Sequence, residues 1–215
     1  MDIIVLGAGV SGLSCGIVLQ ESGHRVRILA KEFSPQTTSD VAAALWFPFH
    51  CAPVDRVLKW SRDTLFYVKK HLLSDPLSGC QIRPFVDLLG QAQNAPWWAD
   101  AVADFHPVAS NDRPEGYVAA FETESVVMDS SRYMPWLMKR FSAAGGTCES
   151  FIAQSWADIP PCDLIINCTG LGAQSLCNDS KVHPVRGQVV KIKNTSIKRC
   201  LSDDTSIRAL AYVIP

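Results

Sequence analysis

The segment that most constrains this chain is Gly7-Ala8-Gly9-Val10-Ser11-Gly12, a G-x-G-x-x-G spacing close to its start. Ile3, Ile4, Val5 and Leu6 run into it as an uninterrupted apolar stretch, the pattern of a parallel strand buried on both faces. Beyond it Leu13, Ile17 and Val18 recur at helical spacing until Gly23, a helix stop signal. Residues 25–30 then alternate, with Val26 and Ile28 apolar, and predict a second strand. Strand, glycine turn, helix and strand form a βαβ unit that opens a doubly wound sheet. In such a unit Gly7 permits the tight turn, Gly9 lets a pyrophosphate approach the backbone, and Gly12 allows close helix–strand packing. The helix start adds unpaired N–H groups and about half a positive charge. The motif therefore predicts dinucleotide binding. An acid near the end of the second strand would hold a ribose, but Ala30 occupies the usual place and Lys31 and Glu32 follow it. Glu32 is the nearest acid, and it reads equally well as a solvated surface residue. The spacing does not choose between a nicotinamide and a flavin dinucleotide.

The rest of the chain interrupts and then resumes this pattern. Residues 53–73 carry helical spacing in Val54, Val57, Leu58, Leu65, Val68 and Leu72. Residues 80–130 hold short β-like runs broken by Pro84, Pro96, Pro107 and Pro114, and predict an inserted antiparallel region. Helical spacing returns over residues 132–144 through Tyr133, Trp136, Leu137 and Phe141, with caps at Asp129–Ser131 and a stop at Gly145-Gly146. Leu164–Asn167 predicts another buried strand, ending in the turn Cys168-Thr169-Gly170. The expected fold class is α/β: a Rossmann-like dinucleotide-binding domain of residues 1–50 and 130–190, with an inserted α+β domain on an antiparallel sheet, residues 51–129 and 191–215. The last residues, Ala209 to Pro215, read as a strand with nothing after it, so a chain truncated at its C-terminus is expected.

Charge and composition narrow the function classes. Hydrophobic residues make up 47% and charged residues 19% of the 215, the balance of a folded globular chain. Twenty Lys and Arg against 21 Asp and Glu leave a net charge of −1, and without a basic run phosphate neutralisation cannot hold a nucleic acid. No window carries 18 uncharged apolar residues, so no membrane span is predicted, and the start lacks the features of an export signal. The eight cysteines include no C-x-x-C pair and the five histidines lie far apart, so no metal site is predicted and reduced thiols in an intracellular protein are expected.

Residues 31–48, KEFSPQTTSDVAAALWFP, do choose the nucleotide. This stretch resembles the D-amino acid oxidase and D-aspartate oxidase family of flavoproteins. So do, in order, PWWADAV (96–102), YMPWL (133–137), IINCTGLGA (165–173), PVRGQVVKI (184–192) and AYVIP (211–215). The resemblance runs through the whole chain but covers only the N-terminal majority of a family member. It makes residues 1–50 and 130–190 an FAD-binding domain and residues 51–129 and 191–215 an incomplete substrate domain. It implies FAD as cofactor, with its pyrophosphate on Gly7, Ala8, Gly9, Val10, Ser11, Gly12 and Leu13 and its adenosine bordered by Lys31 and Glu32. Relatives often carry Asp-Arg at those last two places, so the charge order is reversed here. Thr37, Thr38 and Ser39 match a hydroxyl-rich turn that binds the cofactor, a turn that reads equally as a helix N-cap. Ala44, usually Gly in relatives, and Leu45 would lie against the flavin ring, Ile152 near the adenine and Thr169 near the cofactor.

The implied reaction is oxidative deamination of a D-amino acid, with hydride transfer to the flavin and reoxidation by O2 to hydrogen peroxide, leaving a keto acid and ammonia. Orientation and electrostatics are then the protein's task. Tyr212 matches a family tyrosine that contacts the substrate carboxylate, with a strand aromatic packed in the core as the alternative. A second family tyrosine is replaced by Arg208. Phe47 and Phe49 would wall the pocket and suggest a neutral substrate, and core packing explains them equally well. The family's carboxylate-clamping arginine and second FAD segment lie beyond residue 215, and neither Arg186 nor Arg199 stands at the clamp position. Three other readings stay open: an inactive FAD-binding remnant, an oxidase of glycine or secondary amines, and a nicotinamide-dependent dehydrogenase. A homodimer is expected, with a cytoplasmic location, or a peroxisomal one if a longer chain carries a C-terminal signal.

Overall fold

In the computed structural model, which describes residues 1–42, 44–48, 51–91, 94–193, 196–203 and 211–215, the opening apolar run is strand β1 (Asp2–Leu6). Helix α1 (Val10–Glu21), strand β2 (Arg25–Ala30), the single turn α2 (Thr38–Val41) and the two-residue strand β3 (Ala44–Leu45) follow. Next come helix α3 (Val54–His71), the long strand β4 (Cys80–Leu89), β5 (His106–Pro107) and β6 (Ala119–Met128). The chain then forms α4 (Ser130–Ala143), β7 (Thr147–Ser150), β8 (Leu164–Asn167), the short α5 (Ala173–Leu176), β9 (Cys200–Asp203) and β10 (Ala211–Val213). Two units result: Met1–Ala42 with Ser130–Val190, and Ala43–Asp129 with Lys191–Pro215.

The first unit is built on a parallel sheet in the order β7-β2-β1-β8. Its centre is β1, which pairs with β2 from Asp2↔Arg25 to Leu6↔Leu29 and with β8 from Ile3↔Leu164 to Leu6↔Asn167. With neighbours on both edges and cover on both faces, Ile3, Ile4 and Val5 are fully buried, each contributing about 1.5–3 kcal/mol of burial. The same cover buries Leu29 and Ala30 along with Val26 and Ile28, so the alternation read from residues 25–30 understates β2. Helix α1 turns Leu13 and Ile17 inward, but Val18, placed on that face by its spacing, points to solvent at 53% exposure. Against α1 lies α4, whose Phe141 is fully buried with its ring beside Gly16. Strand β8 differs from expectation. It pairs only with β1 among the described residues, and with one edge open Leu164 stays 39% exposed.

The second unit holds a six-stranded sheet, β10-β9-β4-β6-β3, with β5 also on β6. Pro84 does not break its run: β4 and β6 pair antiparallel over ten positions, from Cys80↔Met128 through Pro84↔Glu124 to Leu89↔Ala119. The reason is positional. Strand β9 joins the other edge of β4 only from Phe85 onward, so Pro84 sits where a missing N–H costs no ladder bond on that side. Because β4 and β9 run parallel, the sheet is mixed rather than antiparallel throughout. The first unit ends earlier than residue 50, since Ala44 and Leu45 pair with Met128 and Val127 of β6 and Trp46 N donates to Val126 O at 2.8 Å. Phe47 packs edge-on against Phe85 (4.9 Å between centroids) and Trp98 (5.4 Å), so its ring belongs to an aromatic core and supplies no substrate argument. Phe49, Arg208 and Ala209 lie outside the described residues.

Candidate dinucleotide-binding site

A cavity of about 1000 Å³ opens in the first unit at the C-terminal ends of β1, β2 and β8, where parallel α/β sheets place their ligands. Its floor is the glycine loop. Gly7 has φ +107°, and a Cβ on it would stand 2.3 Å from the Cys168 carbonyl oxygen, so no side chain is tolerated. Gly9 is the N-cap of α1 and offers no capping side chain, and the first turn of the helix contains no acid. The orphan N–H groups and the positive end of the helix dipole thus face the cavity with little compensation from the chain itself. One partner does reach in: Val10 N donates to Ser39 Oγ at 3.0 Å. That hydroxyl accepts from the helix and keeps its own proton for a ligand oxygen.

Asp40 holds the Ser39 turn in place. Thr37 N and Thr37 Oγ1 donate to Asp40 Oδ2 at 2.9 and 2.5 Å, and Ser34 Oγ donates to Asp40 Oδ1 at 2.5 Å. Burial pushes the Asp40 carboxyl up, but the hydrogen bonds from Ser34 and Thr37 outweigh it and hold the group below its ordinary value. Ser130 Oγ, at the start of α4, donates to Asp40 O at 3.0 Å. Thr37 caps α2, and Thr37, Thr38 and Ser39 also line the cavity.

Of the residues selected from the sequence, Gly7, Ala8, Gly9, Val10, Ser11, Lys31, Glu32, Thr37, Thr38, Ser39, Ile152 and Thr169 all line this one cavity. Lys31 Nζ and Glu32 Oε1 stand 3.5 Å apart on its rim, and Ile152 presents an apolar surface, 62% exposed. Gly12 and Leu13 stand behind the wall rather than in it. A Cβ on Gly12 would lie 1.9 Å from Gly7 O, and Leu13 is fully buried in the core. Ala44, Leu45 and Tyr212 belong to the second unit, on β3 and β10, where Tyr212 pairs with Ser202. Residue-by-residue reading missed Asn167, Cys168 and Gly170–Ala173, which form a wall of the cavity. The turn at Cys168-Thr169-Gly170 is legible from the sequence, but its place on the cavity depends on β8 pairing with β1. Burial first, and then the Cys15 thiol, push the Cys168 thiol up to about 11. Among the described residues no three His, Cys, Asp or Glu side chains cluster as metal ligands, and no helix is long and apolar enough to cross a membrane.

Comparison with known proteins places this geometry. The family model described as FAD dependent oxidoreductase, DAO, matches residues 2–215. The chain is similar to a D-amino-acid oxidase of Dictyostelium discoideum, 36% identical over 223 residues that cover all of this chain and 63% of that protein. It is equally similar to a D-amino-acid oxidase of Rubrobacter xylanophilus, 36% identical over 99% of this chain and 65% of that one. The chain thus spans a little under two thirds of the length of these relatives. Among solved structures, the L-proline dehydrogenase of P. horikoshii superposes with a TM-score of 0.67 over 94% of this chain and 64% of that one, at 13% identity, a likeness of fold alone.

Proposed function

We propose that this chain, which belongs to the DAO family of FAD dependent oxidoreductases, is the nucleotide-holding portion of an enzyme that oxidatively deaminates D-amino acids. The observation that carries the reading is the uncapped start of α1, bare at Gly9 and open to a cavity of about 1000 Å³. The residues fit FAD. A Cβ at Gly9 would meet only Ser39 Oγ, at 3.1 Å, so that side of the loop is kept clear for phosphate oxygens. A bound FAD would supply hydride acceptance from the substrate α-carbon and reoxidation by O2 to hydrogen peroxide, with the imino acid hydrolysing to a keto acid and ammonia.

The chain's own residues bind and orient. Backbone N–H groups at the start of α1 receive the pyrophosphate, and Ser39 donates its remaining hydroxyl proton to it. Lys31 and Glu32 border the adenosine, and Ile152 gives the adenine an apolar face. In the second unit, Ala44 and Leu45 are assigned to the flavin ring, and Tyr212, 39% exposed on β10, to the substrate carboxylate through its hydroxyl proton. The relatives named D-amino-acid oxidase support the D-amino acid assignment.

The test is direct. The purified chain is titrated with FAD by quenching of flavin fluorescence, then assayed for peroxide with D-amino acids, their L-enantiomers, glycine and sarcosine. Saturable FAD binding is expected, with any peroxide released from D-amino acids alone. Peroxide from glycine or sarcosine alone would move the assignment to secondary-amine oxidation, and binding without peroxide would leave a cofactor-holding role only. A chain that takes up no FAD would remove the basis of the proposal.

A further inference from the structure

Asn167 closes β8, and its side chain reaches both ends of the cavity wall that follows it. Oδ1 accepts from Thr169 N at 3.2 Å and from Thr169 Oγ1 at 2.7 Å, and Nδ2 donates to Cys177 Sγ at 3.2 Å. Between those anchors Cys168 to Leu176 supply much of one side of the cavity. The near end is also tied to the sheet and the glycine loop. Cys168 N donates to Leu6 O at 2.8 Å, and the Cys168 carbonyl oxygen fills the space a Cβ on Gly7 would need. The orientation of the carboxamide follows from chemistry, because Thr169 N can only donate and so must face the amide oxygen.

We propose that Asn167 is a positioning residue for the dinucleotide site, which ties down the wall of residues 168–176 and fixes Thr169 as a hydrogen-bond acceptor toward the cofactor. The Thr169 hydroxyl has a single proton, and Asn167 takes it. What remains toward the cavity is lone-pair density, which accepts from a hydroxyl or N–H of the cofactor and repels a phosphate oxygen. The two hydroxyl positions of the site therefore have opposite polarity: Ser39 accepts from Val10 N and donates to phosphate, while Thr169 donates to Asn167 and accepts from a sugar hydroxyl or ring N–H.

This inference rests on the cavity being the FAD site, and its test separates the two. FAD affinity is measured by fluorescence quenching for the full chain, N167A, T169V and the double variant, with far-UV circular dichroism checking each apo-protein. Loss of one oriented hydrogen bond raises the Kd about tenfold. Each single variant is expected to show that loss. The double variant is expected to be no weaker than the weaker single, because Asn167 acts through Thr169. Equal affinity in wild type and N167A overturns the inference, and so does additive loss in the double variant. If N167A does not fold, T169V decides, and an unchanged Kd there overturns the acceptor role. A wild-type chain that binds no FAD overturns the proposed function itself and the inference with it.

Discussion

A Cβ placed on Gly12 would stand 1.9 Å from the carbonyl oxygen of Gly7, so the first turn of α1 presses directly on the loop that leads into it. Gly9, three residues earlier, would bring its Cβ no closer than 3.1 Å to the Ser39 hydroxyl. The motif's glycines thus do different work, and substitution separates them. G12A forces backbone apart and is expected to lower stability by about 1–3 kcal/mol or more. G9A is expected to leave the apo-protein's thermal unfolding near wild type while weakening FAD, since its methyl enters the side kept clear for phosphate. Thermal melts paired with FAD titration check both. Equal effects of the two variants on stability would contradict the assignment.

Asp40 gives the Ser39 turn a pH dependence. Its carboxyl lies lower in the folded chain than in the unfolded one. Its hydrogen bonds therefore stabilise the fold above the unfolded value, and the contribution is lost as pH falls through the folded value. Urea unfolding at a series of pH values should show wild type losing stability below about pH 4. D40N, uncharged throughout, should start less stable at neutral pH and lose less over the same range. Parallel profiles would exclude Asp40 as the source.

Thiol chemistry offers a third check. Burial, with the Cys15 thiol beside it, places Cys168 at about 11, and burial does the same for Cys200 despite the opposing charge of Arg83. At pH 8 roughly one molecule in a thousand carries either thiolate. Iodoacetamide should therefore label exposed Cys51 well before Cys168 or Cys200. Peptide mass mapping over a time course reads the order directly, and early labelling of Cys168 would contradict its raised thiol pKa.

Phe141 is the hinge of the α1–α4 packing. It is fully buried, and its ring approaches within 2.8 Å of where Gly16 would carry a Cβ and 2.4 Å of the same point on Gly146. F141A leaves a cavity there and is expected to cost about 3–5 kcal/mol, read from the urea midpoint. A loss below 1 kcal/mol, about the cost of a surface change, would mean that the helices repack without it.

What the sequence makes legible is local. The run Ile3–Leu6, the spacing of Gly7, Gly9 and Gly12 and the stop at Gly23 specify β1, the loop and α1, because strand burial, a positive φ and a helix end each depend on neighbouring residues. Thr37 and Ser39 come as cofactor residues from the family resemblance, while local pattern offers only a helix cap there, because Ser39's partner, Val10 N, lies 29 residues away. Val18, Pro84 and Leu164 were misread because their exposure depends on which partner lies across the sheet or helix, and no local spacing records that. Asn167 is not legible as a site residue, because its partners, Thr169 and Cys177, matter only once they close around a cavity.

By itself, then, the chain's order of residues determined the opening strand, the glycine loop and the helix after it, since the positive φ of Gly7 and the close approach of Gly12 to Gly7 O involve near neighbours. Tertiary structure decided the rest: that β8 lies beside β1 and carries Asn167 to the cavity, that Ala44 and Leu45 join the second sheet, and that Phe47 turns into an aromatic core. Those outcomes depend on contacts between residues far apart in sequence, where packing and strand pairing, rather than local conformational preference, set the free energy.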